Sequence, residues 1–387
     1  MDLNILSQNI RYYRKHMGFT QNKLAERLFV APQTVSKWES GTIVPDTEKL
    51  CQLADIFGVS IDSLIRVTAG RQRDAYIAVD GGGTKTAFVL FYENGEIIDL
   101  IYLGGSNPNA YGLSNSKNIL NEGIERLMSQ GITVKGIFAG ISGAAAGKNK
   151  QALTEHIKGR YPHIPSIVAS DIYNVINSSG RSEKCIAVIC GTGSVTYGYD
   201  GEMLHRAGGW GYLFDDAGSG FDIGRDAIKH CLEVESGFVD KTELYSSIRE
   251  AFGGEILAGI DKIYAKGKDY IASFAPIVFE CAERDDNTAQ GIIARTVDRL
   301  AELINFIHKN HDCGNTVVIS GGLTSRRDLL EPMIRSKLDN SLEIVFPDLP
   351  PIFGAAVKCM KTYNAENYRR DEFYKNFKQN LNDIRKV

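Results

Sequence analysis

The spacing of apolar residues changes once along this chain. Up to Val67, apolar side chains recur at helical intervals in short segments, without the alternation typical of strands. From Ala75 onward, short apolar runs alternate with helical patterns, which indicates an α/β fold with mixed sheets. The polar stretch 68–74 between them includes a glycine and has too little apolar surface to pack. We therefore predict an all-α domain over 1–67, a linker over 68–74 and an α/β region beyond it.

The α/β region repeats one pattern of elements. The apolar run 77–79 leads into a glycine-rich turn, a second strand and the turn 93–96. The apolar run 186–188 leads into another glycine-rich turn, a strand and the turn 200–202. Each copy has the order strand, tight turn, strand, hairpin turn. The repeat predicts a duplicated unit with two phosphate-sized loops that face one cleft.

The remaining patterns divide this region further. We predict its two halves at 75–183 and 184–362, the second with a mainly helical insertion over 241–310 that suits one wall of a cleft. A charged helical tail over 363–387 is expected to pack on the domain or to form a dimer arm. The other expected elements are helices over 114–129, the 150s, 325–338 and 354–361, and strands over 134–141, 316–320 and 342–346.

The composition of the chain argues against several classes of binding partner and of structural site. The formal charge of −3 and the pI near 6.2 argue against indiscriminate binding to nucleic acid or anionic membrane, so DNA contact requires a local basic surface. No apolar run approaches the roughly 20 residues that cross a bilayer, and the start lacks a signal-peptide pattern. We expect a cytoplasmic protein without a membrane partner. The seven cysteines form no Cys-x-x-Cys pair, which disfavours a disulfide framework or a zinc ribbon.

Two short helices in the first domain have the features of a DNA-reading pair. Thr20 is a suitable N-cap for the first helix, and Pro32 fits the first turn of the second. In the second helix Val35 and Trp38 can face the core while polar side chains face outward, where they suit the major groove and phosphates. The candidate DNA-binding residues are Gln21, Gln33, Thr34, Ser36 and Lys37.

Charge and family likeness support this interpretation. Basic residues, Arg14 among them, outnumber acidic ones up to Lys37, and acidic residues gather after it, as a local DNA face requires. The segment 6–65, including the run 38–41, resembles the phage-repressor (Xre) family of helix-turn-helix domains. The resemblance implies binding to an operator DNA. The alternative is a small helical bundle used for protein contacts.

The first glycine-rich turn has the composition of a phosphate-binding loop. Three glycines let backbone N–H groups approach phosphate oxygens, and the hydroxyl and ammonium side chains that follow add donors. A carboxylate at the strand end can hold Mg²⁺ through water. The sequence matches neither the P-loop nor the dinucleotide fingerprint, and a tight hairpin that needs positive φ is the alternative. These residues are Asp80, the candidate metal ligand, with Gly81, Gly82, Gly83, Thr84, Lys85 and Thr86.

The α/β region, over nearly all of 75–360, resembles the BadF/BadG/BcrA/BcrD ATPase family, which includes the N-acetylglucosamine kinases. The resemblance rests on the two glycine-rich turns, the stretch 317–323 and the segment 351–356. It implies the fold shared by actin and sugar kinases, a duplicated ribonuclease-H-like fold, and the cofactors ATP and Mg²⁺. It also implies that ATP contacts the second turn and a later glycine pair, namely Gly191, Thr192, Gly193, Ser194, Gly321 and Gly322.

The same resemblance assigns a catalytic residue and sugar contacts. Asp171, after the strand 166–170, matches the family's catalytic aspartate, and a carboxylate that accepts the hydroxyl proton assists phosphoryl transfer. Its alternative role is that of a helix N-cap. For Asn107 and the glycine-rich segment 208–211, turn formation is the alternative. The implied sugar-binding residues are Asn107, Asp171, Gly209, Trp210, Asp216 and Ser219.

One motif departs from the family pattern. The family's Gly-Asp-Glu-Gly-Ser reads Asp-Asp-Ala-Gly-Ser over 215–219, so Ala217 replaces a glutamate and Asp215 replaces a glycine. The residues after Asp171 are also larger than in many relatives, which predicts a narrower or differently shaped pocket. These departures favour a sugar sensor over a fast kinase.

Three functions are compatible with the sequence. The preferred one is a homodimeric, sugar-responsive transcriptional regulator that also phosphorylates a small sugar, an amino sugar, with ATP. The second is a sensor that binds sugar and ATP without turnover. The third is an ATPase that activates a redox enzyme, since some family members share an iron–sulfur cluster between subunits. Cys185 and Cys190 are the closest cysteine pair, but they lie in a predicted buried strand, where they are poor shared ligands.

Overall fold

The computed structural model describes residues 3–65, 74–129, 132–179 and 184–384. The chain divides into two compact units between Asp74 and Ala75. Most of the expected linker, 68–73, lies outside the described residues. Across the described ranges, no helix is both long enough and apolar enough to cross a membrane.

The described part of the first unit is a bundle of five helices. These are α1 Leu3–His16, α2 Gln21–Leu28, α3 Pro32–Glu39, α4 Thr47–Phe57 and α5 Ile61–Ile65. The helical repeat places apolar side chains on one face of each helix, and Leu24, Val35 and Leu53 meet in a common core. Thr20 caps α2, as predicted, by accepting from the Lys23 N–H at 3.1 Å.

In the described part of the second unit, ten strands form two sheets. The first sheet contains β1 Ala75–Gly81, β2 Lys85–Tyr92, β3 Ile97–Gly104, β4 Val134–Ile141 and β5 Ser166–Ser170. The second contains β6 Cys185–Cys190, β7 Ser194–Tyr199, β8 Leu204–Ala207, β9 Thr316–Ser320 and β10 Glu343–Val345.

The two sheets have the same topology. In the first, β1 pairs antiparallel with β2 and parallel with β4. In the second, β6 pairs antiparallel with β7 and parallel with β9. The orders β3-β2-β1-β4-β5 and β8-β7-β6-β9-β10 correspond strand for strand. The duplication expected from the sequence is therefore present, and the two equivalent hairpins carry the two glycine-rich turns.

Helices cover the sheets and form the expected insertion. They are α6 Pro108–Met128, α7 Asn149–Arg160, α8 Ile172–Ser178, α9 Gly220–Glu235, α10 Glu243–Phe252, α11 Ile260–Ala272, α12 Ala275–Glu283, α13 Asn287–Asn310, α14 Arg327–Arg335, α15 Pro351–Tyr363 and α16 Arg370–Ile384, with short 3-10 helices at Leu257–Gly259 and Gly322–Arg326. α15 packs against α8, β1 and β4, and α10 to α13 make up the mainly helical insertion.

Some helix boundaries differ from the expected ones. The helix expected over 114–129 begins at Pro108 and is interrupted at Gly112, where φ is 82°. Its added first turn, 108–111, is mostly exposed and is separated from the rest of the helix by Gly112, so it does not extend the apolar repeat. The helix expected over 354–361 begins at Pro351, because proline fits the first turn of a helix. Smaller shifts affect the elements expected over 325–338 and 342–346.

The charged C-terminal tail packs on the first sheet. Phe373, Phe377 and Leu381 of α16 are fully buried. They belong to a core cluster that includes Phe91 of β2 and Phe353 of α15. The apolar face of α16 is therefore covered within the same chain, so packing, rather than a dimer arm, is the role of this face.

Candidate functional site

Backbone hydrogen bonds shape the first glycine-rich turn. The Gly82 N–H donates to the Lys85 carbonyl at 3.0 Å and closes the hairpin, and the Gly82 carbonyl accepts from the Ser106 N–H at 3.1 Å. A Cβ on Gly83 would meet no atom within 4 Å, and the side chains of Thr84 and Lys85 are exposed. The turn therefore offers backbone and side-chain donors on an open face that phosphate oxygens can approach.

Gly81 and Thr86 form the base of this turn. A Cβ on Gly81 would lie 2.4 Å from Ser106 Oγ, so the close packing here requires glycine. Thr86 is fully buried, and its hydroxyl donates to the Gly104 carbonyl at 2.8 Å. The Thr86 hydroxyl therefore supports the turn from inside the fold, and a phosphate contact by Thr86 stays a prediction.

Asp80 is the last residue but one of β1, beside the turn. The Asn174 amide donates to Asp80 Oδ1 at 2.6 Å. Burial raises the pKa of Asp80 to about 6, with the Asn174 hydrogen bond lowering it, the charge of Asp171 raising it and that of Lys85 lowering it. The carboxylates of Asp80 and Asp171 are therefore close enough to repel each other at the carboxyl ends of β1 and β5.

Asp171 directly follows β5. It occupies the N-cap position of α8, yet among the described residues its side chain makes no capping hydrogen bond. The carboxylate instead accepts from the Ser170 hydroxyl at 3.2 Å and from the Ser142 hydroxyl. Burial raises the pKa of Asp171, and these hydrogen bonds oppose the rise. The Asp171 carboxylate therefore lies in a polar cluster with Ser142 and Ser170 at the start of α8.

Ser142 connects Asp171 with Asn107. It follows β4, the strand between β1 and β5, and its N–H donates to the Gly81 carbonyl at 2.7 Å. The Asn107 amide donates to Ser142 Oγ at 3.5 Å, and a Cβ on Gly143 would lie 2.3 Å from Asn107 Oδ1. Ser142 was not predicted, although a small polar residue directly after a buried parallel strand is a signal that could have identified it.

Asp171 also lies near the second sheet. Burial raises the pKa of Tyr197 on β7, with Arg206 lowering it and the charge of Asp171 raising it. Ile172 packs in a core cluster that contains Ala187 of β6, so α8 joins the two sheets. The predicted catalytic carboxylate is thus placed where the two halves of the second unit meet.

The second glycine-rich turn is fixed against the start of α9. The Gly191 N–H donates to the Gly193 carbonyl at 2.9 Å, and the Gly191 carbonyl accepts from the Gly220 N–H at 2.7 Å. The Thr192 carbonyl accepts from the N–H of Phe221 at 3.2 Å. The equivalent hairpins of the two sheets therefore carry differently supported turns, one open to solvent and one braced by a helix.

Asp216 and Ser219 contact the second turn and α9. Asp216 is buried, accepts from the Ser194 N–H at 2.9 Å and forms an ion pair with Lys268. Ser219 is fully buried and caps α9 by accepting from the Asp222 N–H at 3.1 Å. Both were expected to bind sugar. Their polar atoms hold the second turn and the helix behind it, and a sugar contact by Asp216 or Ser219 stays a prediction.

The glycine pair after β9 meets the second turn. Gly321 has a φ of 121°, in the region that favours glycine, and a Cβ there would lie 2.4 Å from the Cys190 carbonyl oxygen. A Cβ on Gly191 would lie 3.5 Å from the backbone nitrogen of Gly322. The two segments predicted to contact ATP in the second half are therefore neighbours.

Arg206 organises the segment that contains Gly209 and Trp210. Its guanidinium donates to the carbonyls of Gly208, at 3.0 Å, and Gly209, and lies 4.2 Å from the centroid of the Trp210 ring. A Cβ on Gly209 would lie 2.5 Å from the Ser194 carbonyl oxygen, so the segment packs on the second turn. Trp210 itself is 62% exposed. Arg206 was not predicted, because a single arginine at a strand end belongs to no motif.

Four of the five predicted DNA-reading residues lie on α3, and Gln21 lies on α2. Gln33, Ser36 and Lys37 are exposed and Thr34 is half-buried, whereas Val35 is buried in the core as expected. Pro32 occupies the first turn of α3, and Trp38 is buried, again as expected. One face of α3 therefore presents amide, hydroxyl and ammonium groups, which match base edges and phosphates.

An internal ion pair changes two expectations about this unit. Arg14 is buried and its guanidinium pairs with Glu39 at 2.5 Å, so it belongs to the interior rather than to a basic DNA face. The Gln21 amide also donates to Glu39, at 2.8 Å. Glu39 thereby fixes the end of α3 against α1 and α2. A DNA contact by Gln21 stays a prediction, now beside this positioning role.

Each of the two units of the chain matches a different known family. A model of the BadF/BadG/BcrA/BcrD ATPase family matches residues 77–358. The chain belongs to this family. A helix-turn-helix family model matches residues 10–64. The protein is therefore a helix-turn-helix domain fused to a BadF/BadG/BcrA/BcrD ATPase family domain, as the sequence predicted.

Relatives of known activity match each part. The N-acetyl-D-glucosamine kinase of Dictyostelium discoideum is 26% identical over 318 residues, covering 75% of this chain and 99% of the kinase. The N-acetylmuramic acid/N-acetylglucosamine kinase of Clostridium acetobutylicum is 30% identical over 297 residues, covering 73% and 96%. The HTH-type transcriptional activator BcrR of Enterococcus faecalis is 37% identical over 59 residues, 15% of this chain and 29% of the activator.

Solved structures confirm the fold. A Chromobacterium violaceum protein assigned to the N-acetylglucosamine kinases superposes with a TM-score of 0.61 at 24% identity, covering 73% of this chain and 98% of that one. A ROK family transcriptional regulator, described as a homologue of the Escherichia coli MLC protein, has a TM-score of 0.51 at 13% identity and covers 97% of each chain. The predicted actin-like sugar-kinase fold of the ATPase family domain is correct.

The cysteines of the ATPase family domain do not suit a shared cluster. Cys185 and Cys190 are buried in β6. Burial raises the pKa of each thiol to about 12, which disfavours the thiolate that an iron–sulfur cluster requires. The hypothesis of a redox-enzyme activator therefore has no support from this pair.

Proposed function

We propose that this BadF/BadG/BcrA/BcrD ATPase family protein is a sugar-responsive transcriptional regulator that binds ATP with Mg²⁺ and phosphorylates an amino sugar. The proposal depends above all on the carboxylate of Asp171, which shares a polar cluster with Ser142 and Asn107 beside Asp80 and the first glycine-rich turn. The similarity to N-acetylglucosamine kinases supports the choice of an amino sugar.

Each residue of this cluster has a different role in phosphoryl transfer. Asn107 hydrogen-bonds a sugar hydroxyl through its amide, and Ser142 holds both Asn107 and Asp171 in place. Asp171 accepts the proton of the attacking hydroxyl, and the pKa raised by its burial makes it a better base. The glycine-rich turns align the phosphates of ATP, since positioning and charge neutralisation dominate this reaction.

The residues beside the first turn fit a magnesium ion shared with the nucleotide. Among the described residues, no group of three or more His, Cys, Asp or Glu side chains is arranged to hold a metal. Mg²⁺ in phosphoryl-transfer sites is commonly held by one or two carboxylates and the substrate's phosphates, with water completing the shell. The carboxylate of Asp80, beside the first glycine-rich turn, matches that donor set. When bound, Mg²⁺ neutralises charge on the phosphates.

Substitution of Asp171 tests the catalytic proposal. In a coupled assay of ATP consumption with N-acetylglucosamine, N-acetylmuramic acid and glucosamine, we expect Asp171→Asn to lower turnover by about 10²–10⁴-fold, the usual contribution of a general base. Calorimetry should find sugar binding retained, since asparagine keeps the shape of the side chain. Asp240→Asn, on the exposed surface, is the matched control and should leave turnover unchanged. Undiminished turnover in Asp171→Asn would refute the assigned role.

A sensor without turnover is the second candidate, and Ala217 favours it. This residue stands where the family has glutamate, and its backbone carbonyl accepts from the Ser194 hydroxyl at 2.6 Å beside the second turn. If the protein binds sugar and ATP but consumes no ATP, Ala217→Glu should increase turnover by restoring the missing carboxylate. No gain in that variant would exclude the missing glutamate as the cause.

The exposed face of α3 supports operator binding by a homodimer. Helix-turn-helix dimers read two half-sites about 34 Å apart, so a palindromic operator with that spacing is expected. Sugar and ATP then act by changing the relative stability of two arrangements of the dimer, to the extent that they bind one more tightly than the other.

A further inference from the structure

Helix α11 of the insertion is interrupted next to the ATPase site. Gly267 has φ 68° and ψ −155°, in a region that favours glycine, and this ends the first helical segment. The two residues after it, Lys268 and Asp269, contact different parts of the domain.

Lys268 lies against the second glycine-rich turn. Its ammonium pairs with Asp216, whose other oxygen accepts from the Ser194 N–H at 2.9 Å. A Cβ on Gly193 would lie 2.9 Å from Lys268 Nζ, so the ammonium sits beside the backbone of the turn. The side chain of Lys268 is 28% exposed while that of Asp216 is 5% exposed. The charge of Lys268 therefore reaches the surface of the turn and the charge of Asp216 does not.

Asp269 contacts α6, in the first half of the domain. Its carboxylate accepts from the hydroxyl of Tyr111, on the first turn of α6. The Tyr111 ring lies 2.6 Å from where a Cβ on Gly105 would be, and the Gly83 carbonyl oxygen is 2.0 Å from the same point. The interrupted helix is thus anchored near the first glycine-rich turn through Asp269 and at the second through Lys268.

We propose that Lys268 is a phosphate-binding residue of the nucleotide site, contributed by the helical insertion rather than by either copy of the repeat. The second turn, 191–194, contains no basic residue of its own, and the phosphates of a nucleotide carry several negative charges. A lysine ammonium has three donors on a flexible stem, so Lys268 contacts Asp216 and a phosphate oxygen together. This assignment rests on the proposed binding of ATP.

Calorimetric titration of the full chain with three probes tests the assignment. ATP, inorganic tripolyphosphate and adenosine separate the phosphate contacts from the base contacts. We expect Lys268→Gln to weaken ATP and tripolyphosphate tenfold or more, the usual size of a lost charge-assisted hydrogen bond, while adenosine binding stays within twofold. Lys268→Arg, which keeps the charge, should recover most of the affinity. Lys266→Gln is the matched control, since the Lys266 ammonium lies over the Tyr270 ring at 4.5 Å.

The outcomes separate this assignment from the proposed function. Wild-type protein that binds neither ATP nor tripolyphosphate overturns both. Wild-type binding that Lys268→Gln leaves intact, or that falls equally for adenosine, overturns only the role of Lys268. If Lys268→Gln unfolds because Asp216 is left as an unpaired buried charge, Lys268→Gln with Asp216→Asn removes both charges, and it should show the same selective loss of ATP and tripolyphosphate.

Discussion

At the scale of single residues, the buried carboxylate of Asp80 lowers the stability of the folded protein when it is ionised, and the same ionised group suits the binding of a cation. Burial raises its pKa to about 6, so the folded state binds a proton more tightly than the unfolded chain. Stability contributed by the protonated form is therefore lost as the pH rises from about 4 through about 6. Above that range the folded protein holds an ionised carboxylate at a cost, which is consistent with a group placed to bind a cation.

Asp80→Asn should accordingly be more stable than the wild type at pH 8. Its side-chain oxygen can still accept from the Asn174 amide, and no charge is buried. Thermal melts at several pH values should show a gain in Tm that shrinks to nothing as the pH falls from about 6 to about 4. A gain that is independent of pH, or a loss at pH 8, would contradict this account of Asp80. The same variant should lose Mg²⁺-dependent ATP binding.

The sequence identified several site residues and missed those that act through contacts. Asp80 and Asp171 follow recognisable strands, and the structure brings them together with Asn107. Lys268 is linked to them only by tertiary contacts, so no motif marks it, and Ser142 is marked only by its position directly after β4. The sequence assigned Thr86, Asp216 and Ser219 to ligands, but it could not reveal that each side chain also forms a hydrogen bond inside the fold.

At the scale of elements, we expect different side chains of α3 to contact the bases and the phosphates of DNA. We expect Lys37→Ala to weaken binding about equally for all DNA sequences and to lower the salt slope by about 1. Gln33→Ala should instead cost about 1–3 kcal/mol at one base pair of the preferred site. Fluorescence anisotropy across a salt series and a set of single-base variants measures both. The exposed Cys51 on α4 provides Cys51→Ser as the control, and equal effects of Gln33→Ala at every base pair would count against base contact.

Helix α16 is expected to be essential to the second unit. Phe377 is fully buried between Phe373 and Phe353, so Phe377→Ala should lower the free energy of unfolding by about 3–5 kcal/mol. Lys375→Ala, on the exposed side of the same helix, should change it by less than about 0.5 kcal/mol. Urea denaturation followed by tryptophan fluorescence and circular dichroism compares them. Equal stability of the two variants would show that α16 does not pack as described.

The elements themselves were more predictable than their ends. The repeated strand and turn pattern predicted two equivalent hairpins, because alternating apolar runs and glycine turns leave a local signal. The first turn of α6 was not predicted, since it is mostly exposed and Gly112 interrupts the helical repeat after it. The role of α16 was left open for a related reason: an amphipathic face is visible in a sequence, but the surface that covers it is not.

At the scale of the whole molecule, two families with separate functions are joined in one chain. The helix-turn-helix match and the ATPase family match fall on different units, and each unit has its own core. Binding of a ligand to one unit can alter the function of the other only if it favours one arrangement of the protein. The central claim is that an amino sugar and ATP control DNA binding. This claim requires a coupling free energy between ligand binding in one unit and DNA binding in the other.

The most direct test measures that coupling in one preparation. Sequences selected from random DNA by the full chain provide the operator, and anisotropy gives its Kd alone, with N-acetylglucosamine, with Mg-ATP and with both. We predict an enriched palindromic site whose Kd changes by at least fivefold when sugar and Mg-ATP are both present, within the usual range of allosteric coupling. A sequence-selective protein whose Kd is the same under all four conditions, or one that enriches no sequence, would contradict the account.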